Sequence, residues 1–428
     1  MLGNFSKFTN MLLTPPDIQS RRASLVSLHM LSHEQTRWVS VVGARPQFVK
    51  LAALCRAIEK HNSTKFPLIQ HRIVHTGQHY DSDMTDAFFA ELNIPEPAYN
   101  LGVHSCCFGQ QVGQMLELLE PVITSERPDW LLVYGDTNST LSGALVGARL
   151  GIPVAHVEAG CRSYRASMPE EQNRVLTDHL SRLLLVPTEK AADNLRREGI
   201  GIPDDPLHRR IAWVGDTMLD ALQASIDTAE QHSTKLQALG LNDREYYLLT
   251  LHRAENTVKP EALERVLDAL ATLSLPLIFP VHPRTRKVLS AATNLQNSSN
   301  LRVISPLSYL EMLILEKHAK AILTDSGGVQ KEAFYLQVPC VTLREETEWP
   351  ETIAVGANHL AGTHPERILS ALRLPFPDLS ACRQPFGVGD ASNKTVDEIL
   401  ALSSVSIQLP ATSSATWTVG SPGERVTP

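Results

Sequence analysis

Short apolar runs alternate with longer helix-like segments along most of this chain, and the alternation restricts the folds open to it. In the first half, runs that predict buried strands lie at residues 38–42, 72–76, 130–134, 154–157, 183–186 and 211–214. In the second half, they lie at residues 247–251, 277–280, 321–324 and 340–342. Helices are predicted at residues 47–60, 140–150, 261–273, 309–317 and 329–336. This order is typical of parallel sheets with helices on both faces, so we predict an α/β chain with two doubly wound domains.

The length of the chain agrees with two domains, because 428 residues exceed one ordinary hydrophobic core. We predict an extension at residues 1–36, a first domain at 37–214, a second at 215–385, a C-terminal helix at 386–405 and a tail at 406–428. The extension has no clear period and few acids, and the tail is rich in Ser, Thr, Pro and Gly. Both ends are therefore expected to be disordered.

Charge, hydropathy and cysteine spacing exclude several classes of protein. Lys and Arg number 39 against 46 Asp and Glu, a net charge of −7, and no basic stripe marks a nucleic-acid surface. No apolar run is long enough to cross a bilayer, so no membrane contact is expected. The six cysteines include no CxxC pair. A structural zinc site is therefore not expected, and reduced thiols fit a cytoplasmic protein.

A basic turn follows the first predicted strand. Gly43 allows a tight turn, and Pro46 suits the first turn of a helix. Arg45 and Lys50 would then lie near a helix N-terminus, where backbone N–H groups already favour anions. The turn predicts either a diphosphate site or a capped helix with solvated cations. The GxGxxG and GxxxxGK[ST] motifs of dinucleotide and Mg·ATP sites are absent.

Three carboxylates stand at consecutive strand-to-helix turns of the first domain. Asp136 and Glu158 each follow a predicted strand, and Glu170 begins a further polar segment beside Glu171. Clustered carboxylates raise one another's pKa, which suits general acid and base catalysis. They could equally hold Mg²⁺, and simpler roles are a helix cap for Asp136 and a helix-dipole contact for one of the two adjacent glutamates.

Two histidines of the second domain follow predicted strands inside basic turns. His252 precedes Arg253, and His282 lies close in sequence to Arg284. A histidine beside arginine at a strand end suits contact with a phosphate or protonation of a leaving phosphate. A single histidine is more often structural, but the repetition of the pattern favours the functional interpretation.

The most specific element is the segment from Ser326 to Glu332. Its Ser-Gly-Gly start lets backbone N–H groups approach a phosphate at the beginning of a helix. Glu332 cannot favour a phosphate, so it is expected to contact neutral donors such as ribose hydroxyls. The segment therefore predicts a nucleotide site, against the alternative of a glycine turn followed by an exposed acid.

In combination and order, these motifs resemble those of the non-hydrolysing UDP-N-acetylglucosamine 2-epimerases over residues 39–362. The resemblance implies a GT-B-like fold, in which two Rossmann-like domains face each other across a cleft and the last helix, near residues 394–402, crosses back to the first domain. One departure lies in the first motif, where Ala44 and Gln47 replace the Thr and Glu of the family's common GTRPE form.

The resemblance also implies roles for the residues singled out above. Catalytic roles fall to Asp136, Glu158, Glu170 and His252. Contacts with UDP or the substrate fall to Arg45, Lys50, Arg174, His252, His282, Ser326, Gly327, Gly328 and Glu332.

The implied reaction interconverts UDP-GlcNAc and UDP-ManNAc through 2-acetamidoglucal and UDP, without a cofactor or metal. A homodimer that supplies ManNAc-type sugars for a cell-surface polysaccharide is the expected setting. A GT-B glycosyltransferase, a hydrolysing epimerase that releases free ManNAc and a non-catalytic sugar-nucleotide sensor remain open, since fold alone cannot choose between them.

Overall fold

The computed structural model describes residues 35–78, 88–104, 107–251, 260–281, 300–379 and 384–404. The predicted tail, all but two residues of the extension, and the predicted site residues His252 and His282 lie outside these ranges. No helix in the described part of the chain is long and apolar enough to cross a membrane.

The first domain is built on a seven-stranded parallel sheet. Its strands are β1 (Gln35–Val42), β2 (Leu68–His75), β3 (Tyr99–Asn100), β4 (Trp130–Tyr134), β5 (Val154–Val157), β6 (Leu183–Val186) and β7 (Arg210–Trp213). Their order in the sheet is β3-β2-β1-β4-β5-β6-β7. The order reverses between β1 and β4, and ligands of doubly wound sheets bind at such a point, beside the carboxyl ends of the strands.

The second domain repeats the arrangement with a six-stranded parallel sheet. Its strands are β8 (Tyr247–Thr250), β9 (Leu277–Pro280), β10 (Leu301–Ile304), β11 (Ala321–Thr324), β12 (Cys340–Thr342) and β13 (Asn358–Leu360). The order β10-β9-β8-β11-β12-β13 again reverses beside the first strand. The prediction of two Rossmann-like sheets in a GT-B-like arrangement is therefore confirmed.

Helices connect the strands in both domains. The first domain has α1 (Arg45–Thr64), α2 (Phe108–Glu126), α3 (Asn138–Arg149), α4 (Pro169–Leu180) and α5 (Glu189–Arg197). Then follow α6 (Thr217–His232), α7 (Lys235–Leu239), α8 (Pro260–Ala271), α9 (Tyr309–Lys317), α10 (Gly327–Tyr335), α11 (Pro350–Ala354), α12 (Pro365–Ala371) and α13 (Ala391–Ser404).

Alternate residues of the central strand β1 build the core on the two faces of the first sheet. Trp38 belongs to the cluster that contains Phe48 of α1, whereas Val39 belongs to the cluster with Met115 of α2 and Ala144 of α3. Successive side chains of a strand point to opposite faces, so a strand covered on both sides must be apolar throughout. This is why the strand runs were readable from the sequence.

The last helix lies on the first domain although it follows the second in the chain. Trp130 of β4 donates a hydrogen bond from Nε1 to Ser403 Oγ of α13 at 2.8 Å, and Arg210 of β7 pairs with Glu398 at 2.7 Å. The two connections between the domains run side by side. Gly215 has φ +96°, and a Cβ placed there would lie 2.8 Å from the carbonyl oxygen of Phe386, so only glycine suits this position.

Candidate active site

The candidate site lies where the carboxyl ends of β4 and β5 meet the beginning of α10. Glu158 directly follows β5, and its backbone has a φ of 70°, which is uncommon for a residue other than glycine. The N–H groups of Glu158 and Ala159 both donate to the carbonyl oxygen of Leu185, which turns the chain sharply at this point. Strained backbone of this kind concentrates at functional sites.

Both carboxylate oxygens of Glu158 are held by lysines. Lys50 Nζ of α1 lies 3.1 Å from Oε1, and Lys331 Nζ of α10 lies 2.6 Å from Oε2. Burial alone would raise the pKa of Glu158, but the charges of Lys331 and Lys50 outweigh it and hold the pKa at about 2. Glu158 is therefore an ionised carboxylate in this structure.

Lys331 was not among the predicted site residues, yet it joins α10 to the carboxylate at the end of β5. Its ammonium group is buried, and it also contacts Asp216 Oδ2 at 2.6 Å. It lies 4.2 Å from the ring centroid of Trp349, a cation–π contact. The sequence signal was the motif itself, since Lys331 immediately precedes Glu332 on the candidate nucleotide-binding helix.

Asp136, which follows β4, pairs with an arginine of α4. Arg174 Nη2 lies 2.7 Å from Asp136 Oδ2, and Arg174 Nε donates to the same oxygen at 3.1 Å. Arg174 also contacts Glu171 at 2.8 Å and, across the domains, Glu348 at 3.2 Å. Thr137, not Asp136, caps α3 by accepting a hydrogen bond from the N–H of Thr140. The side chain of Asp136 remains 30% exposed, so it is open to a ligand.

The two adjacent glutamates at the start of α4 have different environments. Glu171 is buried, and its carboxylate accepts from the backbone N–H groups of Ser163 and Tyr164, both at 2.9 Å. It thereby fixes the loop before α4. Glu170 is only half-buried and lies in the first turn of the same helix. Of the pair, Glu171 has the structural role and Glu170 is the one available for chemistry.

The basic turn after β1 forms the first turn of α1 as expected. Its glycine, however, is needed for close packing and not for the tight turn that the sequence suggested. Gly43 is required by close packing and not by a left-handed backbone, since a Cβ there would clash with Thr76 Oγ1. Gln47 accepts from the N–H groups of Gly43 and Ala44 at 2.8 and 3.0 Å. Arg45 is the first residue of the helix and lies over the ring of Phe88. Its contact with diphosphate stays a prediction.

The Ser-Gly-Gly segment begins α10 as expected. Ser326 is the N-cap residue, and its Oγ accepts from the N–H of Val329 at 3.4 Å. Gly327 and Gly328 occupy the first two positions of the helix and are partly exposed. Their backbone N–H groups lie at the N-terminus of the helix, and together with the positive end of the helix dipole they suit a phosphate.

Glu332, on the same helix, is more buried than the predicted ribose contact suggests, because only 6% of it is exposed. Burial raises the pKa of Glu332 to about 7, with Lys331 opposing the shift and Asp216 adding to it. Glu316 of α9 is also buried, and burial together with Glu332 raises the pKa of Glu316 well above its usual value. The ribose contact of Glu332 stays a prediction.

A buried histidine connects the turns that follow β4 and β5 to α4. His156 of β5 contacts Asp178 Oδ1 of α4 through Nδ1 at 2.7 Å and the carbonyl oxygen of Gly135 through Nε2 at 2.8 Å. Asp178 also accepts from Gly160 N–H at 3.1 Å and pairs with Arg162 at 2.7 Å. Burial disfavours the charge of Asp178, but His156 and Arg162 outweigh this and lower its pKa. Sequence reasoning missed this support because its members are far apart in the chain.

Two of the three predicted catalytic carboxylates, Asp136 and Glu158, are paired with cations in this structure. In the described ranges, no group of three or more His, Cys, Asp or Glu side chains has the arrangement of a metal site. Asp136 and Glu158 instead face Arg174, Lys50 and Lys331. The site thus holds carboxylates paired with cations beside a helix N-terminus that suits a phosphate.

Comparisons with known proteins agree with this arrangement. A family model described as UDP-N-acetylglucosamine 2-epimerase matches residues 61–400. A Methanococcus maripaludis protein named UDP-N-acetylglucosamine 2-epimerase homolog is 48% identical over 363 residues, which cover 84% of this chain and 98% of that protein. A Pseudomonas aeruginosa UDP-2,3-diacetamido-2,3-dideoxy-D-glucuronate 2-epimerase is 41% identical over 369 residues, which cover 85% and 99%.

A solved structure of a related protein has the same fold. The crystal structure of Methanocaldococcus jannaschii UDP-GlcNAc 2-epimerase in complex with UDP-GlcNAc and UDP matches with a TM-score of 0.77 at 42% identity, covering 85% of this chain and 99% of that one. Fold, sequence and motif order therefore agree over most of the chain. This chain belongs to the UDP-N-acetylglucosamine 2-epimerase family and is an enzyme of the isomerase class.

Proposed function

We propose that this chain is a non-hydrolysing epimerase that interconverts UDP-GlcNAc and UDP-ManNAc. The observation that carries the proposal is the 2.6 Å contact between Lys331 of α10 and Glu158 at the end of β5. It brings a carboxylate of the first domain directly against the helix whose Ser-Gly-Gly start suits a UDP diphosphate. A sugar attached to that diphosphate would lie beside the carboxylates.

The proposed chemistry begins with loss of UDP. The C2 proton of the sugar is not acidic enough for simple removal, so the C1–O bond breaks and its electron pair leaves with UDP. Positive charge at C1 then acidifies the C2 proton, which a carboxylate accepts as the C1–C2 double bond of 2-acetamidoglucal forms. Reversal with a proton delivered to the opposite face of C2 gives the epimer.

The geometry supports separate roles for the charged groups. In this structure, Glu158 is a weak base because Lys50 and Lys331 both stabilise its charge. A diphosphate that attracts Lys50 would remove one of these cations from the carboxylate. The pKa of Glu158 would then rise, which makes Glu158 a better proton acceptor at the time the substrate is bound.

The other proton is assigned to the more exposed acids, Asp136 and Glu170. Asp136 is 30% exposed and follows the strand next to β5, while Glu170 is half-buried at the start of α4. Arg45 and Lys50 are assigned to the departing diphosphate, where fixed cations stabilise developing negative charge. His252 and His282 keep their predicted phosphate roles, outside the described residues.

The identity of the sugar rests on relatives that differ. The M. jannaschii relative is named a UDP-GlcNAc 2-epimerase, whereas the P. aeruginosa relative acts on a 2,3-diacetamido glucuronate. Both names imply epimerisation at C2 of a UDP-sugar, so the chemistry above applies to either. UDP-GlcNAc is the proposed substrate because the family model and the relative with 48% identity both name it. The cytoplasmic location, the homodimer and the polysaccharide pathway stay predictions.

Incubation with UDP-GlcNAc in buffer that contains EDTA and no NAD, followed by NMR of the sugar-nucleotide pool, tests the proposal. We expect a mixture of UDP-GlcNAc and UDP-ManNAc. Free ManNAc with stoichiometric UDP would indicate a hydrolysing enzyme, and an unchanged pool would contradict the proposal. Activity restored only by Mg²⁺ would favour the metal interpretation of the carboxylates. A parallel incubation with the diacetamido glucuronate nucleotide decides between the two sugars.

A further inference from the structure

Lys331 lies on α10 of the second domain, and both of its charged contacts are with residues of other elements. It is the fifth residue of α10, and its side chain is 1% exposed. One contact is Glu158 at the end of β5, and the other is Asp216, which caps the start of α6 by accepting from the N–H of Met218. Lys331 therefore connects the candidate nucleotide helix to the candidate catalytic carboxylate.

The position of Lys331 is itself fixed by its surroundings. Asp216 Oδ2 accepts from Lys331 and also from the hydroxyl group of Tyr335, one helical turn further along α10. The indole of Trp349 also lies against the ammonium group. A flexible lysine is thus confined to one orientation, which aims Nζ at one oxygen of Glu158.

We propose that Lys331 is a positioning residue, which orients the Glu158 carboxylate and keeps it ionised from the nucleotide-binding helix. The inference rests on the proposed function for its catalytic consequence. Lys50 is expected to turn to the diphosphate when substrate binds, and Lys331 is then the cation that remains with Glu158. The reacting carboxylate is consequently fixed only while α10 lies against the first domain.

The charged and titratable groups around Glu158 make the expected effect specific. Lys50 faces it from α1 and Lys331 from α10, with Asp216 behind Lys331. Cys161 from the loop after β5 and Tyr335 from α10 also interact with it electrostatically. Lys50 and Lys331 are the cations that face it within the described residues. Loss of one close opposite charge shifts a carboxyl pKa upward by roughly 1–3 units.

The test compares Lys331→Met, which keeps the length of the side chain, with Lys331→Arg, which keeps the charge. Lys331→Gln is a second neutral variant in case methionine disturbs folding. Lys320→Met is the matched control, because Lys320 is exposed and precedes the opposite end of β11. The first measurement is a titration of the Glu158 carboxyl carbon by NMR in protein labelled at glutamate, with the signal assigned by its loss in Glu158→Gln.

We expect the pKa of Glu158 to rise by ~1–3 units in both neutral variants and to stay low in Lys331→Arg and Lys320→Met. The second measurement is the pH profile of kcat with UDP-GlcNAc. The acid limb of this profile should move to higher pH in the neutral variants. Because Glu158 also loses the group that orients it, kcat above that limb should fall ~10-fold or more, and KM should change less than kcat. A Glu158 titration that is the same in wild type, Lys331→Met and Lys331→Gln would overturn the inference. If Glu158 of the wild type titrates as expected but the enzyme does not epimerise UDP-GlcNAc, the proposed function is contradicted instead. If the Glu158 titration shifts in the neutral variants while the pH profile of kcat stays unchanged, the catalytic consequence is refuted.

Discussion

Arg174 Nη2 lies 2.7 Å from Asp136 Oδ2, so a residue predicted to bind the substrate is the partner of a residue predicted to act on it. Arg174 also contacts Glu171 on its own helix and Glu348 from the second domain. Its guanidinium group therefore joins three carboxylates across the cleft. A contact of Arg174 with substrate, if it forms, is made by a group that already orients Asp136.

Replacement of Arg174 by methionine is expected to lower the free energy of unfolding by ~3–5 kcal/mol, because the buried carboxylates of Glu171 and Glu348 each lose a cationic partner. Arg196→Met is the control. Arg196 pairs with Asp193 on the surface of α5, where an ion pair contributes only ~0–1 kcal/mol. Urea unfolding of both variants and wild type measures the difference. Equal losses in the two variants would show that the buried cluster is not important for stability.

The three predicted catalytic acids are expected to control turnover separately from UDP binding. Asp136→Asn, Glu158→Gln and Glu170→Gln should each lower kcat by ~10²–10⁴-fold, the range for positioned acid and base groups, while UDP still binds. Glu189→Gln provides a control, since Glu189 is an exposed acid in the first turn of α5 as Glu170 is in that of α4. Steady-state kinetics and calorimetric titration with UDP provide the two readouts. Any of the three acids with wild-type turnover loses its catalytic role.

The central parts of both sheets could be predicted from the sequence because strands covered on both faces are continuously apolar. The edge strands β3, β10 and β13 were missed, since β3 has two residues, β13 has three, and β10 is partly exposed along its length. Helices α5 and α6 were also missed, and so was α2. Its buried residues Val112, Met115, Leu119 and Ile123 follow a helical spacing, but Pro121 within it argues against a helix.

The sequence predicted part of the candidate site. It did not predict the contacts between residues that are far apart in the chain. Glycine turns and polar strand ends identified Asp136, Glu158 and Ser326 from local sequence alone. Lys331 and Asp216 had no local signal for their contact, because 115 positions separate them in numbering and the pairing depends on how α10 packs against the start of α6. The contact of His156 with Asp178 had no sequence signal either, since Asp178 lies on α4, a helix whose buried face is largely polar. Apolar periodicity cannot reveal such a face.

Substitutions at Glu332 and Arg45 are expected to change the affinities for uridine and UDP differently. Glu332→Gln should weaken uridine and UDP alike, since its proposed contact is with ribose, whereas Arg45→Ala should weaken UDP far more than uridine. The pKa of Glu332 is raised to about 7, so its carboxylate forms as the pH rises through that value. If ribose hydroxyls donate to the carboxylate, uridine should bind more tightly at pH 8 than at pH 6 in wild type and equally at both in Glu332→Gln. Calorimetry at the two pH values checks this, and a pH-independent affinity in wild type would argue against the ribose contact.

Glu316 is expected to make the stability of the chain depend on pH. Its raised folded-state pKa means that the folded chain retains a proton that the unfolded chain releases near 4.5. Its contribution to stability is therefore present below pH 4.5 and is lost as the pH rises toward the folded pKa. Glu316→Gln should stabilise the chain at pH 8 relative to wild type, by on the order of 1 kcal/mol, and should flatten the pH dependence. Urea unfolding at pH 5 and 8 measures this against Glu120→Gln on the exposed face of α2, and identical pH dependence in wild type and Glu316→Gln would contradict it.

The hydrogen at C2 provides the most direct view of the mechanism. Epimerisation by elimination must break the C2–H bond, and carboxylates exchange their protons with water whenever the cleft admits it. UDP-GlcNAc and UDP-ManNAc recovered from deuterium oxide should therefore both carry deuterium at C2, as NMR of the C2 proton signal will show. A small amount of UDP and 2-acetamidoglucal should also escape, because the intermediate is held without a covalent bond. A glycosyltransferase acts at C1 and would leave the C2 proton in place. UDP-ManNAc that forms while C2 stays fully protonated would exclude exchange through Asp136, Glu158 or Glu170 and would indicate internal hydride transfer, which added NAD as a control would help to recognise.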